Sequence, residues 1–345
     1  MGMKTITIYD IAKEAGVSPA TVSRVLTGSA RVSEQKRDKI EDLVRQYDFR
    51  PNSLAQSLLK NESKTIGLIL PDIINPFFAT LYYELEICAL RMGYTILLGN
   101  SMSKADIESS LLRLFTQKQA DAFIFMGGRV NKVNIPAQEY SELFRVSRNI
   151  PLFMANGNED MAWDNCYNIV TDEHRGIVLL TEYLISLGHH DISLAGGSAS
   201  VTSSALKRGA FREVMEKHGL PVKKEWIIST DFDDSGGDMA MRKLLKGKSM
   251  PTAIIGINDS VAAGLLRQAQ IHHIRVPEDV SVAGFDGSYL STLVYPPLTT
   301  VSQNYEEFGK AIIDSIIALK NGEKAEHLTR IPTKLIIRDS CRPLK

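Results

Sequence analysis

Apolar residues recur at helical intervals through the first sixty residues, then give way to short β-rich runs separated by amphipathic stretches. In TIYDIAKEAGVSPATVSRVL, Thr7 to Leu26, the side chains of Ile8, Ile11, Ala12 and Ala15 line one face of a short helix. Thr7 and Asp10 stand at capping-box spacing, and Gly16 suits the left-handed conformation that ends a helix. Ser18 is a natural N-cap, and Pro19 fits the first helical position, where no N–H is needed. Val22, Val25 and Leu26 face inward on this second helix, while Pro19, Ala20, Ser23 and Arg24 face outward. Ser33 caps a predicted third helix whose Ile40, Leu43, Val44 and Tyr47 close a three-helix core. A fourth helix is predicted in RPNSLAQSLL, Arg50 to Leu59, capped by Asn52 and bearing Leu54, Ala55, Leu58 and Leu59. So short a helix is marginal alone, because nucleation costs more than a few propagated bonds return, and it needs something to hold it. Two short helices around a tight turn, with the second one's polar face free, make a helix-turn-helix, whose second helix enters the major groove of DNA.

A polar NESK stretch, Asn61 to Lys64, separates this part from the next. Beyond it TIGLIL, YTILL, AFIFM and PLFM read as buried strands, with predicted helices over Phe77 to Met92, Ile107 to Lys118 and Arg175 to Leu187. The alternation resumes with DISLAG, Ala205 to His218, AIIGI, Val261 to Gln270 and VSVAG. Strands alternating with helices at this spacing predict parallel sheets covered by helices on both faces.

Composition adds little. The 345 residues are long enough for a small helical unit plus two lobes. Forty Lys and Arg balance forty Asp and Glu, so attraction to nucleic acid has to come from local charge, as at Lys13, Arg24, Lys36, Arg37 and Arg45. Three scattered cysteines, Cys88, Cys166 and Cys341, fit reduced cytosolic thiols better than a disulfide framework. The N-terminus carries no secretory signal pattern, and no stretch is apolar for long enough to span a bilayer, which makes a cytoplasmic protein the expectation.

TIYDIAKEAGVSPATVSRVL and FRPNSLAQSL resemble the headpiece and hinge helix of the lactose-repressor/galactose-repressor (LacI/GalR) family of bacterial transcription regulators, and the likeness runs on to the RDSC at Arg338 to Cys341. The resemblance implies an all-α helix-turn-helix headpiece (residues 1–50), a hinge helix and linker (51–63) and an α/β two-lobe, periplasmic-binding-protein-like effector domain (64–345). It places an N-lobe at about 64–180 and 303–330 and a C-lobe at about 181–302 and 331–345, with three chain crossings. It implies a homodimer on a near-palindromic operator in double-stranded DNA, with contacts from Thr7, Tyr9, Ser18, Pro19, Ala20, Thr21, Ser23 and Arg24 and, in the hinge, Asn52, Ala55 and Leu58. Arg24 suits guanine, and Leu58 matches the family's minor-groove wedge. Because the chain stops at SCRPLK, without a leucine heptad, a dimer rather than a tetramer is expected.

In open α/β sheets, ligands bind beyond the carboxyl ends of strands. Asp72, Asn75 and Phe77 follow the first strand, Asn258 follows AIIGI and Asp286 follows VSVAG, with Asp172, Phe232 and Gln303 as further candidates. Carboxylates and amides engage neighbouring sugar hydroxyls, and a ring such as Phe77 or Phe232 covers an apolar sugar face. Each Asp or Asn alone reads equally as a helix N-cap. One departure stands out. With Phe211 kept in register, the family's ligand-clamping Arg is matched by Lys207 in LKRGAF; a shift of one would put Arg208 there instead. A lysine is a point charge without the bidentate fork, so a sugar acid or phosphate joins neutral sugars as an expected effector.

Enzyme signals are weak. His189-His190 and His272-His273 are adjacent pairs without metal-ligand spacing, Gly196-Gly197-Ser198 lacks the lysine of a P-loop, and no motif presents a nucleophilic serine. The sequence therefore predicts no catalysis, no metal and no cofactor, but a regulator of carbohydrate-utilisation genes switched by a small molecule. The alternatives are a regulator switched by a phosphocarrier protein and a sugar receptor acting without DNA.

Overall fold

The computed structural model describes residues 6–27, 32–49, 63–161 and 163–344. Two compact units emerge, Met1–Lys64 and Thr65–Lys345. The hinge-helix expectation, with Asn52, Ala55 and Leu58, lies outside the described residues.

Three helices make up the described part of the first unit: α1 (Ile8–Ala15), α2 (Pro19–Thr27) and α3 (Glu34–Gln46). The Thr7–Asp10 capping box forms in both directions, and Gly16 closes α1 at φ 71°. Ser18 caps α2 by accepting from Thr21 N–H at 3.2 Å. Ser33 holds the N-cap position of α3, but its hydroxyl makes no capping bond there; only its carbonyl engages the first turn, through Lys36 and Arg37 N–H. Ile11, Ala12, Ala15, Val22, Ile40 and Leu43 form the core, and Tyr47 O–H donates to Glu14 at 2.9 Å to tie α3 to α1.

The second unit is two α/β lobes. In the N-lobe a six-stranded parallel sheet runs in the order β11-β5-β4-β3-β1-β2. Its strands are β1 (Thr65–Leu70), β2 (Thr95–Asn100), β3 (Ala122–Met126), β4 (Leu152–Ala155), β5 (Cys166–Thr171) and β11 (Leu328–Ile331). Helices α4 (Pro76–Arg91) and α12 (Tyr305–Lys320) cover one face, and α5 (Ala105–Gln117) and α6 (Ala137–Ser147) the other. β3 is buried along its whole length, as expected of a parallel strand covered on both sides.

The C-lobe sheet is β7-β6-β8-β9, from β6 (Ile192–Ala195), β7 (Ile227–Ile228), β8 (Ala253–Gly256) and β9 (Ser281–Ala283), all parallel. Its helices are α7 (Glu173–Ser186), α8 (Thr202–Lys217), α9 (Asp234–Leu245), α10 (Asp259–Ile271) and the short α11 (Leu290–Leu293). β10 (Thr300–Ser302) and β12 (Lys334–Ile336) pair antiparallel beside the crossings. The chain leaves the N-lobe after β5, returns after β10 and leaves again after β11. The first crossing comes earlier than the boundary near 180: Ile177, Leu180 and Leu184 of α7 lie in the C-lobe core, so the crossing falls at Asp172.

The last residues finish the C-lobe. Val282 N–H donates to Ser340 O, Leu344 N–H to Leu187 O, and Cys341 is buried in the core. His189 sits 3.0 Å from both Thr252 Oγ1 and Arg342 O, and burial pushes its imidazole below its usual value. The described His189 is thus a neutral fastener of the tail, and no cluster of metal-ligating side chains occurs among the described residues.

Candidate functional site

On the first unit the outer side of α2 carries Pro19, Ala20, Ser23 and Arg24, with Ala20 and Arg24 exposed. Ser18 and Thr21 share a hydroxyl contact of 2.9 Å at its start. Thr7 and the 72% exposed Tyr9 lie at the start of α1, where the Thr7 hydroxyl is engaged by Asp10 at 2.6 Å. The structure therefore brings Thr7, Tyr9, Ser18, Pro19, Ala20, Thr21, Ser23 and Arg24 onto one small helical unit.

Between the lobes lies a cavity of about 870 Å³ at the carboxyl ends of both sheets, where ligands bind in open α/β folds. Asp72, Asn75, Phe77, Lys207, Phe232, Asn258, Asp286 and Gln303 line it. Asp172 does not. Its carboxylate accepts from Arg175 N–H at 3.0 Å to cap α7, its own N–H donates to Ile331 O and its carbonyl accepts from Thr333, so it serves the crossing. The next residue, Glu173, faces the cavity instead.

The cap reading and the cavity reading coexist at the amides. Asn75 accepts from Phe77 N–H at 3.0 Å, and Asn258 accepts from Val261 N–H at 2.8 Å while donating to Phe232 O at 2.8 Å. Asn258 thus sets the loop that presents Phe232. Phe77 packs against Phe78 and Tyr305 with ring centroids 5.1 and 5.8 Å apart.

A continuous polar network forms the cavity floor. Gln303 Nε2 donates to Asp286 Oδ1 at 3.0 Å and lies 3.4 Å from Glu173 Oε1. The Gln303 carbonyl accepts from the Thr171 hydroxyl, and Thr171 N–H donates to Asn156 Oδ1 at 2.7 Å. Gln303 thereby joins an N-lobe strand end to a C-lobe loop. A second link between the lobes runs along the rim: Asn131 accepts from the Thr202 hydroxyl, and Val133 N–H donates to Ser200 O at 2.9 Å.

Lys207 and Arg208 have different tasks. Arg208 turns away from the cavity and donates to Gly196 O and Gly197 O at 3.0 and 2.6 Å. Lys207 enters the floor, 3.0 Å from Glu173, 3.3 Å from Ile257 O and 3.8 Å above the Phe285 ring. Burial pushes the Asp286 carboxyl up to about 8, with Lys207 pulling it down and Asp259 and Glu173 pushing it up. Asp259 sits behind it, pushed up to about 6 by burial while Thr300 and Ser288 donate to it.

The N-lobe wall has its own support. Gly127 and Gly128 turn at φ 74° and 66°, and a Cβ on Gly128 would stand 2.1 Å from Glu108 Oε1. Arg129, 1% exposed, binds Glu108 at 2.5 Å and Glu142 at 2.6 Å behind this turn.

Sequence reading missed Glu173, Asn156, Asn131 and the rim carboxylates Asp231 and Asp233. Asn156 ends PLFMAN, so the strand-end rule that found Asn258 applied equally there. Glu173 needed the N-cap assignment of Asp172, which leaves the following side chain for the cavity.

A helical DNA-binding unit followed by a two-lobe binding unit is the architecture of a ligand-responsive transcription regulator. Residues 7–52 match the model for bacterial regulatory proteins of the lacI family, and residues 181–341 match a periplasmic binding protein-like domain. The HTH-type transcriptional regulator DegA of Bacillus subtilis (strain 168) is 34% identical over 343 residues, 99% of each chain. Catabolite control protein A of Priestia megaterium is 32% identical over 339 residues, 98% of this chain and 99% of its own. A crystal structure of the lac repressor dimer bound to operator and the anti-inducer ONPF superposes with a TM-score of 0.88 at 24% identity, covering 98% of this chain and all of that one, a likeness of fold. The chain belongs to the lacI family of bacterial transcription regulators.

Proposed function

We propose that this regulator acts in the cytoplasm as a homodimer on a near-palindromic operator, represses carbohydrate-utilisation genes, and is switched by a small polyhydroxylated effector in the interlobe cavity. The observation that carries the reading is the floor network, in which Gln303 connects Thr171 of one lobe to Asp286 of the other directly beneath an 870 Å³ cavity. A molecule that hydrogen-bonds to both lobes favours one lobe arrangement over another, and its differential affinity is the whole of its switching power. Asp72, Asn75, Lys207, Asn258, Asp286 and Gln303 supply the polar contacts, and Phe77 and Phe232 supply rings for an apolar sugar face. Asp172 is withdrawn from that set and Glu173 replaces it.

On DNA, Arg24 and the short Pro19 and Ala20 side chains read base edges in the major groove, with Tyr9, Thr7, Ser18, Thr21 and Ser23 along the backbone. Family membership supports the regulator over a receptor working without DNA, and the interlobe cavity of about 870 Å³ supports a small effector over a phosphocarrier protein. No group placed for catalysis enters the reading.

Operator selection from a random duplex library, followed by titration at several salt concentrations, tests the DNA half. Arg24→Ala is expected to lose about 1–3 kcal/mol of discrimination at one base position in each half-site while retaining salt-dependent non-specific binding. A selected consensus without dyad symmetry would sink the dimer reading. The effector half is tested by whether any small molecule changes operator affinity with no second protein present.

A further inference from the structure

Charge in the cavity is lopsided. Six carboxylates line it (Asp72, Glu173, Asp231, Asp233, Asp234 and Asp286) against three cations, Lys132, Lys207 and Arg267. Every one of those cations is already committed to a carboxylate of the protein. Lys132 bonds Glu139 at 2.8 Å, and Arg267 bonds Asp234 at 2.5 Å and Asp238 at 2.6 Å. Lys207 is held by Glu173, by the Ile257 carbonyl and by the face of Phe285. An anionic ligand would have to share one of these cations with a carboxylate that already neutralises it.

The floor is also short of positive charge. Asp286 and Glu173 are each only 6% exposed, and one buried ammonium, Lys207, serves both. Asp286 Oδ1 accepts from Gln303, and Glu173 Oε1 is taken by Lys207; the second oxygen of each carboxylate has no hydrogen bond among the described residues. Both residues line the cavity. A buried carboxylate without a full complement of partners is unfavourable, and a ligand that brings a donor cation relieves it.

We infer that the effector is a cationic polyol, a sugar-like molecule carrying a primary ammonium among its hydroxyls, with the ammonium directed to Asp286 and Glu173. The inference rests on the interlobe cavity being the effector site, and it assigns Lys207 the part of an internal counter-ion instead of a ligand clamp. Neutral hydroxyls meet Asn75, Asn156 and Gln303, and the rings of Phe77 and Phe232 cover the apolar face.

Protonation follows. The groups facing Asp286 are Lys207 on α8, Glu173 on α7, Asp259 on α10, Tyr305 on α12 and the neutral Gln303. Burial holds the Asp286 carboxyl up at about 8, so a proton leaves it when the ammonium arrives. Affinity for such a ligand therefore falls on acidification.

Isothermal titration of the full chain with glucosamine, galactosamine and mannosamine hydrochlorides provides the test. Each is compared with its N-acetylated and parent sugar, and with glucose 6-phosphate and gluconate. At least one ammonium sugar is expected to bind about tenfold or more tighter than both its neutral counterparts, and its affinity to drop by up to about tenfold per pH unit between about pH 7 and about pH 5.5, where the sugar amine stays charged. Asp286→Asn is expected to abolish both the preference and the pH dependence; should that variant not fold, the wild-type comparison decides alone. A neutral sugar or a sugar phosphate binding as tightly as the ammonium sugars overturns the inference and leaves the cavity as the effector site. Silence across the whole panel overturns the inference, and the cavity reading then rests on whether any other small molecule changes operator affinity.

Discussion

The two walls of the cavity are built on opposite plans. The N-lobe wall is mainly rings, amides and a glycine turn (Phe77, Phe78, Asn75, Asn156, Gly127 and Gly128), with only the partly or fully exposed Lys132 and Asp72 as charges. Its buried ion cluster, Arg129 with Glu108 and Glu142, lies behind that turn. The C-lobe wall keeps its buried charges in the cavity itself, where Lys207, Glu173 and Asp286 meet. Rings come from both walls, Phe77 and Phe232, but the buried charges that face a ligand come from the C-lobe wall. The difference shows what a buried ion pair does: behind a wall it fixes a loop, and in the cavity it sets the charge the ligand has to complement.

The largest effect expected from breaking this contrast is on stability. Arg129→Ala leaves Glu108 and Glu142 without their cation, and a loss of about 3–5 kcal/mol is expected in urea unfolding. A loss under about 1 kcal/mol would mean that the cluster does not hold the wall.

Next is pH. Burial holds the folded Asp286 carboxyl at about 8 against an ordinary 3.8, so the folded state binds more protons than the unfolded state between those values. Its contribution to stability is full below the lower value and is lost as pH rises through the folded one. The ligand-free protein should therefore lose up to about 1.4 kcal/mol per pH unit from this group as pH rises across that window. Asp286→Asn should flatten the profile; an unchanged slope would place the linkage elsewhere.

Phe77→Ala acts on the N-lobe wall and should weaken any effector about tenfold without changing the preference among charged and neutral ligands. A change in that preference would erase the division of labour. Asp231→Asn, on the exposed rim, should change affinity by less than about threefold and only at low salt.

Local signals carried the headpiece. A capping box, a left-handed glycine and helical spacing are all interactions within a few residues, so Thr7, Asp10, Gly16 and Ser18 could be placed without tertiary knowledge. Ser33 shows the limit, because its hydroxyl makes no capping bond although its position is right. Strand and helix alternation was equally legible in TIGLIL and AIIGI. The crossing at Asp172 was not, since nothing in VTDEHRG reveals which core Ile177 and Leu180 join. The substitution at Lys207 was visible as a departure, but its meaning depended on Glu173, thirty-four residues away, and on the Ile257 carbonyl. Charges that compensate one another across a fold leave no local trace.

The tail has a consequence in time. β11 at Leu328–Ile331 pairs with β5 along the edge of the N-lobe sheet, and Ser340 to Leu344 fasten the C-lobe through Val282, His189 and Leu187. Both lobes therefore await residues beyond position 327, whereas the three headpiece helices are complete by Gln46. During synthesis, the residues of the DNA-reading surface are therefore all made well before those that complete the ligand cavity, so the part that reads DNA precedes the part that regulates it.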